Sequence, residues 1–347
     1  MAFLQSDDTP RRPIEKENHL IFHHRNALRA AAGAILLLCA ATASLAQSWP
    51  AKPITIVVAY PAGGDTDAIA RAYAEKLAQR VGQPVLIDNR PGASGMIGNA
   101  WVAKAPADGY TLLFTPSTFP IAQHVLKAGP GVAHDVVKDF TPIVKTGNIP
   151  VLMVTAPTSG IQNVAQLVAG AKAGKTFTYG TPGAGSPMHI AGELFNKDAG
   201  IAVAHAPYRG VAPVVNDTLG GHVSVGWITP GAVAGHITAG KLVPLAVAER
   251  QRTKLMPNVP TFLELGYRDM DVSAWMGLLG PKAMPAEVVQ TLNRHFNEIL
   301  KMPDVQARMA ALGIEPVGGA PSVLAQQISD DDQRFGRLVR EFGIRAD

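Results

Sequence analysis

The sequence predicts an α/β protein of two units, the second inserted into the first. Three observations carry this. Short β-branched or apolar runs alternate with helical text from Trp49 onward, the runs fall into two sets, and strongly apolar stretches at 150–154 and 274–280 flank the second set. Alternating strand and helix argues for parallel sheets with right-handed crossovers. At 347 residues the chain is too long for one ordinary core and suits two. If both flanking stretches are crossover strands, two chain passages form a hinge, which suits a cleft that closes on a ligand. The expected divisions are 1–46 as an extension with a signal, 47–149 plus 274–347 as the first unit, and 150–273 as the second.

The first set of strands is ITIVVAY (54–60), VLIDN (85–89) and TLLFTP (111–116). Between the first two, Ile69, Tyr73, Leu77 and Val81 recur every fourth residue, an apolar helix face that stops at Gly82 and Pro84. The second set is VLMVTAP, FTYGTP, IAVAHAPY, VSVGWIT and LVPLAVAE, spread over 151–249. Its clearest crossover helices, NVAQLVAGAKAG, HIAGELFNKDAG and GVAPVVNDTLGG, each close on glycine as a C-terminal stop. The last segment is helical, with Val288, Leu292, Phe296 and Leu300 on one stripe and 322–343 forming another helix.

Composition narrows the function. Nearly half the chain is apolar, 17% is charged, and the net charge is only +4. No basic run or aromatic–basic interleaving suggests nucleic acid. RNALR (25–29) followed by AAAGAILLLCAATASLA and the small residues Ser44 and Ala46 reads as a signal peptide cleaved between Ala46 and Gln47. The apolar run of about 16 residues is short for a spanning helix; an uncleaved anchor is the alternative. Leu38 before Cys39, the single cysteine, does not suit a lipid attachment site, so Cys39 is expected to leave with the signal. The mature chain then has neither disulfide nor thiolate metal site. Losing five basic and four acidic groups, it carries +3.

Chemistry is expected in the strand-to-helix loops. AYPAGGDTDAIAR (59–71) places Gly63 and Gly64 between a strand and a helix. There backbone N–H groups of Ala62, Gly63 and Gly64 face a ligand and the helix N-terminus favours negative charge. Neither G-x-x-x-x-G-K-[ST] nor G-x-G-x-x-G is present at this junction, and Asp65 and Asp67 would repel a polyphosphate; a carboxylate asks for less compensation. Both aspartates also suit helix capping, and either role fits. TPGAGSPMHIAGELF (181–195) is a second such junction, with Ser186 placed as an N-cap and Pro187 at the first helical position. Ser186 is also placed to meet a carboxylate. His189, in the first turn, is more often structural. A nucleophile elbow needs G-x-S-x-G, and the frame here is G-A-G-S-P, so a serine hydrolase using Ser186 is the weaker reading. The seven histidines after residue 46 form no metal motif, and neither metal nor cofactor is expected. Arg90, in RPGASG (90–95), either offers a cation near the cleft or pairs with a local acid. Tyr208, in APYRGVAP (206–213), either lines the pocket or packs.

Taken together, WPAKPITIVVAYPAGGDTDAIAR, DNRPGASGMIGNAWVAKAPADGYTLLF, YGTPGAGSPMHIAGELF, APYRGVAP, LGGHVSV, AGKLVPLAVAE and PNVPTFLELGY resemble the Bug family. These are the TctC-like periplasmic solute-binding receptors of tripartite tricarboxylate transport systems, and the resemblance runs from Trp49 to the C-terminus. It implies a type II periplasmic binding-protein fold, a ligand cleft between two lobes, no catalytic activity, and a small organic carboxylate as ligand. It implies permease subunits of a tripartite tricarboxylate transporter as partners, with a membrane sensor kinase as the alternative, and a monomer. Carried over position by position, the binding residues are Tyr60, Pro61, Ala62, Gly63, Gly64 and Asp67 in the first loop, where Asp65 is a further candidate read from its place at the start of the helix. Thr181, Gly185, Ser186 and His189 follow in the second, with Tyr208, Arg209 and Gly210 in the third. Departures stand at Tyr60 for a common phenylalanine, Asp65 for a small or hydroxyl residue, and Ser224 and 227–229 for positions often acidic. If those acids meet a ligand amine, this ligand lacks one, which favours an aromatic or simple carboxylate.

Overall fold

The computed structural model describes residues 49–126 and 132–345. The expected signal, its cleavage site and Cys39 lie outside them. The chain divides at Ala51, and from Lys52 onward it is one compact unit built on two sheets.

In chain order the first part runs β1 Ile54–Val58, α1 Asp65–Val81, β2 Val85–Asn89, α2 Met96–Ala103, β3 Thr111–Pro116, α3 Thr118–Val125 and β4 Phe140–Ile149. The middle follows as β5 Leu152–Thr155, α4 Val164–Lys172, β6 Thr178–Thr181, α5 Pro187–Ala199, β7 Ala204–Pro207, α6 Val211–Leu219, β8 Val225–Ile228, α7 Pro230–Thr238 and β9 Val243–Val247. The chain then returns through β10 Ala274–Pro281, α8 Ala286–Ile299, α9 Pro303–Ala311, β11 Glu315–Pro316 and α10 Pro321–Glu341.

The first sheet has the order β11-β4-β10-β3-β1-β2 and the second β7-β6-β8-β5-β9. The two sheets give two α/β lobes. The parallel crossovers expected from the sequence are present in β2-β1-β3 and in β7-β6-β8. Neither sheet is purely parallel, however. β10 runs antiparallel to both β3 and β4, and β5 runs antiparallel to β8 and β9. The stretch 150–154 is not one crossover strand either: β4 ends at Ile149 in the first sheet and β5 begins at Leu152 in the second. Pro150, which lacks an N–H, falls at the break between them.

Burial explains the strand and helix patterns. The α1 stripe packs Ile69, Tyr73 and Leu77 into the core, and Tyr73 meets Phe114 and Phe296 edge-on at 5.7 Å each. The α8 stripe of Val288, Leu292 and Phe296 closes that core from the other chain segment. In the second lobe Trp227 stacks on Phe262 at 5.2 Å and is 1% exposed.

Candidate binding cleft

The loop after β1 leaves Pro61, Ala62, Gly63, Gly64 and Asp65 exposed. It is held from beneath by Asp67. One carboxylate oxygen of Asp67 accepts the Gly63 N–H at 2.9 Å and Arg71 Nε at 3.0 Å; the other accepts Asn89 Nδ2 at 2.9 Å and pairs with the Arg71 guanidinium at 2.9 Å. Burial alone raises such a carboxyl, but these hydrogen bonds and the Arg71 charge outweigh it and hold Asp67 down at about 2. The N–H of Gly63 is therefore taken, whereas those of Ala62 and Gly64 make no hydrogen bond within the described residues. Asn89 also donates to Tyr60 O at 3.1 Å. Tyr60 turns its ring toward the neighbouring loop, where its hydroxyl donates to Ser94 O at 3.2 Å and pairs with Thr118 Oγ1. Burial pushes this phenol up to about 12, so it remains a neutral donor at physiological pH.

The loop after β6 uses no ion pair. Ser186 caps α5 through its Oγ, which accepts the His189 N–H at 3.2 Å, with Pro187 at the first helical position. His189 reaches back: its Nδ1 accepts the Gly185 N–H at 3.1 Å. That leaves the ring proton on Nε2, 3.8 Å from Glu193 Oε1. The imidazole stacks on His205 at 3.7 Å, and His205 Nε2 lies 2.7 Å from Thr181 Oγ1, whose hydroxyl donates to Gly183 O at 3.3 Å. Burial, reinforced by the neighbouring His205, lowers His189 to about 3, and burial lowers His205 to about 4. Both rings are neutral at pH 7. The Ser186 hydroxyl is bonded to the His189 backbone rather than to its ring, so the arrangement that activates a serine nucleophile is not formed.

These two loops meet across a cavity of about 150 Å³. Tyr60, Ser94 and Thr118 line it from the first lobe, and Pro182, Gly183, Ala184, Gly185 and Ser186 from the second. No charged side chain lines it. It presents the free proton of the Ser186 hydroxyl and the positive ends of the α3 and α5 dipoles; the Tyr60 and Thr118 hydroxyls are engaged with each other and with Ser94 O. Neutral groups arranged in this way hold an anion without a formal countercharge.

Of the residues named from sequence, Tyr60, Gly185 and Ser186 line this cavity. Thr181 and His189 support it from behind. Asp67 holds the first loop, and Asp65 faces a different space. Tyr208 donates its hydroxyl to Asp217 at 2.6 Å, and its N–H, like that of Gly210, ties the third loop to the second, at Thr181 O and Pro182 O. Arg209 is exposed and pairs with no described acid. Arg90 takes the plainer of its two expected roles, pairing with Asp88 at 2.6 Å beneath the Trp101 ring. Ser224 and Trp227 do not line the cavity: Ser224 ties β6 to β8, and Trp227 is lobe core. At 224 and 227 the absent acid is thus a change in the lobe interior. Ser94 and Thr118 were missed by the sequence reading. Thr118 had a signal, since it opens a helix directly after the parallel strand β3, and ligands gather outside the carboxyl ends of such strands.

Two α/β lobes whose strand-end loops converge on one anion-favouring cavity define a solute-binding protein. The model of the TctC family, the tripartite tricarboxylate transporter family receptor, matches residues 69–344, and the chain belongs to that family. It is 37% identical over 301 residues to Protein BugT of Bordetella pertussis, covering 86% of this chain and 92% of that one. Among solved structures it is similar to R. palustris Rpa4515 with adipate, at a TM-score of 0.75 and 30% identity over 86% of this chain and 99% of the other. It is also similar to MatC from Rhodopseudomonas palustris with bound malate, at 0.69 and 26% over 84% and 100%. The family is one of receptors, and this chain is a binding protein rather than an enzyme. No helix among the described residues is long and apolar enough to cross a membrane.

Proposed function

We propose that the chain is a periplasmic receptor, secreted by a cleaved signal at Ala46–Gln47, that captures a small organic carboxylate between its lobes and delivers it to a tripartite tricarboxylate-type permease. The lobes divide at 149/150 and 273/274, and two chain passages form the hinge. The observation that carries the reading is the uncharged cavity at Tyr60, Thr118 and Ser186, which draws anion-favouring helix ends from both lobes at once. The carboxylates bound by similar receptors support it. The ligand sits with one carboxylate against Tyr60, the N–H groups of Ala62 and Gly64, Thr118, Gly185 and Ser186. Thr181, His189, Tyr208 and Gly210 hold those groups in place.

The test is a thermal-shift screen of unfolded and refolded protein against mono-, di- and tricarboxylates, amino acids and aromatic acids. A ligand at 100 times its dissociation constant adds ~2.7 kcal/mol, a shift of several degrees for domains of this size. A shift confined to carboxylates is the expected result; a shift only with neutral solutes, or with none, overturns the reading.

A further inference from the structure

The two sides of the cavity at Tyr60 carry opposite hydrogen-bonding capacity, which follows from counting their protons. On the first-lobe side three oxygens meet. The Tyr60 hydroxyl lies 3.2 Å from Ser94 O and is also bonded to Thr118 Oγ1. Two hydrogen bonds need two protons; the carbonyl supplies none and each hydroxyl supplies one. Tyr60 therefore donates to Ser94 O, and Thr118 donates to Tyr60. Burial pushes the Tyr60 phenol up to about 12, so its proton stays in place at pH 7.

Thr118 is thereby turned into an acceptor. Its one proton is held by Tyr60, and the lone pairs left on Oγ1 receive no hydrogen bond among the described residues. Thr118 is half-buried and lines the cavity, whereas Ser94 is exposed at the rim. The second-lobe side is the reverse. Ser186 Oγ accepts the His189 N–H at 3.2 Å, so its own proton is free, and it stands at the positive end of α5. A carboxylate, which only accepts, satisfies Ser186 and leaves Thr118 unpaired.

The remaining wall sets the size and the tail. Thr118, Ala122 and Val125 stand at i, i+4 and i+7 on one face of α3 and all line the cavity, so the surface beside the acceptor is aliphatic. The volume of about 150 Å³ matches a cavity able to hold benzene, and a four-carbon acid fits it.

We propose that the receptor selects a small 2-hydroxycarboxylate, whose carboxylate takes the Ser186 proton and whose hydroxyl, on the neighbouring carbon, donates to Thr118 Oγ1. A short aliphatic tail lies on Ala122 and Val125. Tyr60 determines this specificity, because it withholds the Thr118 proton from the ligand. The inference rests on the carboxylate-receptor reading above and deepens it.

The experiment is calorimetric titration of ligand-free protein with 2-hydroxybutyrate and butyrate, which differ by that hydroxyl alone. The native protein is expected to bind 2-hydroxybutyrate about tenfold more tightly, the worth of one neutral hydrogen bond. Thr118→Val removes the acceptor; it is expected to weaken 2-hydroxybutyrate about tenfold and to leave butyrate unchanged. Tyr60→Phe releases the Thr118 proton to the carboxylate, and is expected to tighten butyrate and so narrow the ratio. A merely structural Tyr60 would instead weaken both acids alike. Equal affinities in the native protein, or an unchanged ratio in either variant, overturn the proposal. Binding of other carboxylates but of neither acid removes the hydroxyl preference while the receptor reading stands. Failure of every carboxylate removes both.

Discussion

The loops after β1 and after β6 occupy corresponding places in the two lobes and are held by opposite means. The first is exposed and tethered by a buried carboxylate that gathers Gly63, Arg71 and Asn89. The second is half-buried and tethered by neutral groups, the Ser186 hydroxyl and the stacked imidazoles of His189 and His205. A charged tether resists acid until its carboxylate protonates. A neutral histidine tether fails earlier, because the His189 ring must stay uncharged to accept the Gly185 N–H. One cleft is thus framed by an acid-resistant edge and an acid-sensitive one.

The largest expected effect breaks the exposed loop on the ligand side alone. Gly63 has φ +84°, and a Cβ there meets no protein atom within 4 Å, so the side chain of Gly63→Val projects into open space. We expect an affinity loss of at least about 100-fold in titration, with a left-handed valine costing about 2 kcal/mol of stability and the fold retained by circular dichroism. Unimpaired binding would place the ligand elsewhere.

Next, Asp67→Asn removes the charged tether. Loss of the Arg71 pairing costs about 1–3 kcal/mol in urea unfolding at pH 7. Because the folded carboxyl lies at about 2, below its unfolded value, its stabilisation is present above about pH 4 and is lost as pH falls toward 2. The variant and the native protein should therefore converge in that window. A constant gap down to pH 2 would show that the tether is not ionic.

The smallest effect sharpens the other side. His189 at about 3 and His205 at about 4 lie below the unfolded histidine value. Their contribution is complete above about pH 6.5 and declines as pH falls through that range toward the folded values. In His189→Gln the drop in stability between pH 7 and pH 5 should shrink by about 1 kcal/mol relative to the native protein, read as the difference in Tm. An unchanged drop would mean that the imidazole does not titrate with unfolding.

The loops themselves were legible in the sequence because their signals are local. Glycines after a β-branched run, Ser186 three residues before His189, and Pro187 between them state a cap without reference to the rest of the chain. The α1 stripe was legible for the same reason. Strand β4 was not: FTPIVKTGNI mixes lysine, threonine and asparagine with apolar residues, and only tertiary packing buries Lys145, whose amine bonds Gln327 of α10 at 2.7 Å. His205 gave no sign of its partner, since stacking on His189 depends on how β7 lies beside β6. The division of labour between Asp65 and Asp67 was likewise invisible. Two residues apart on a helix, they face different surroundings, and only Asp67 has Asn89 and the Gly63 N–H within reach.

The strand order of the first sheet also governs how this chain comes together as it is made. β10 separates β3 from β4, yet it is synthesised after every strand of the second sheet. Until Pro281 has emerged, β3 and β4 present open edges to one another with nothing to pair through, while the strands 152–247 already suffice for the second sheet. The second sheet is free to assemble first, and the first sheet must keep two unpaired strand edges apart until β10 arrives.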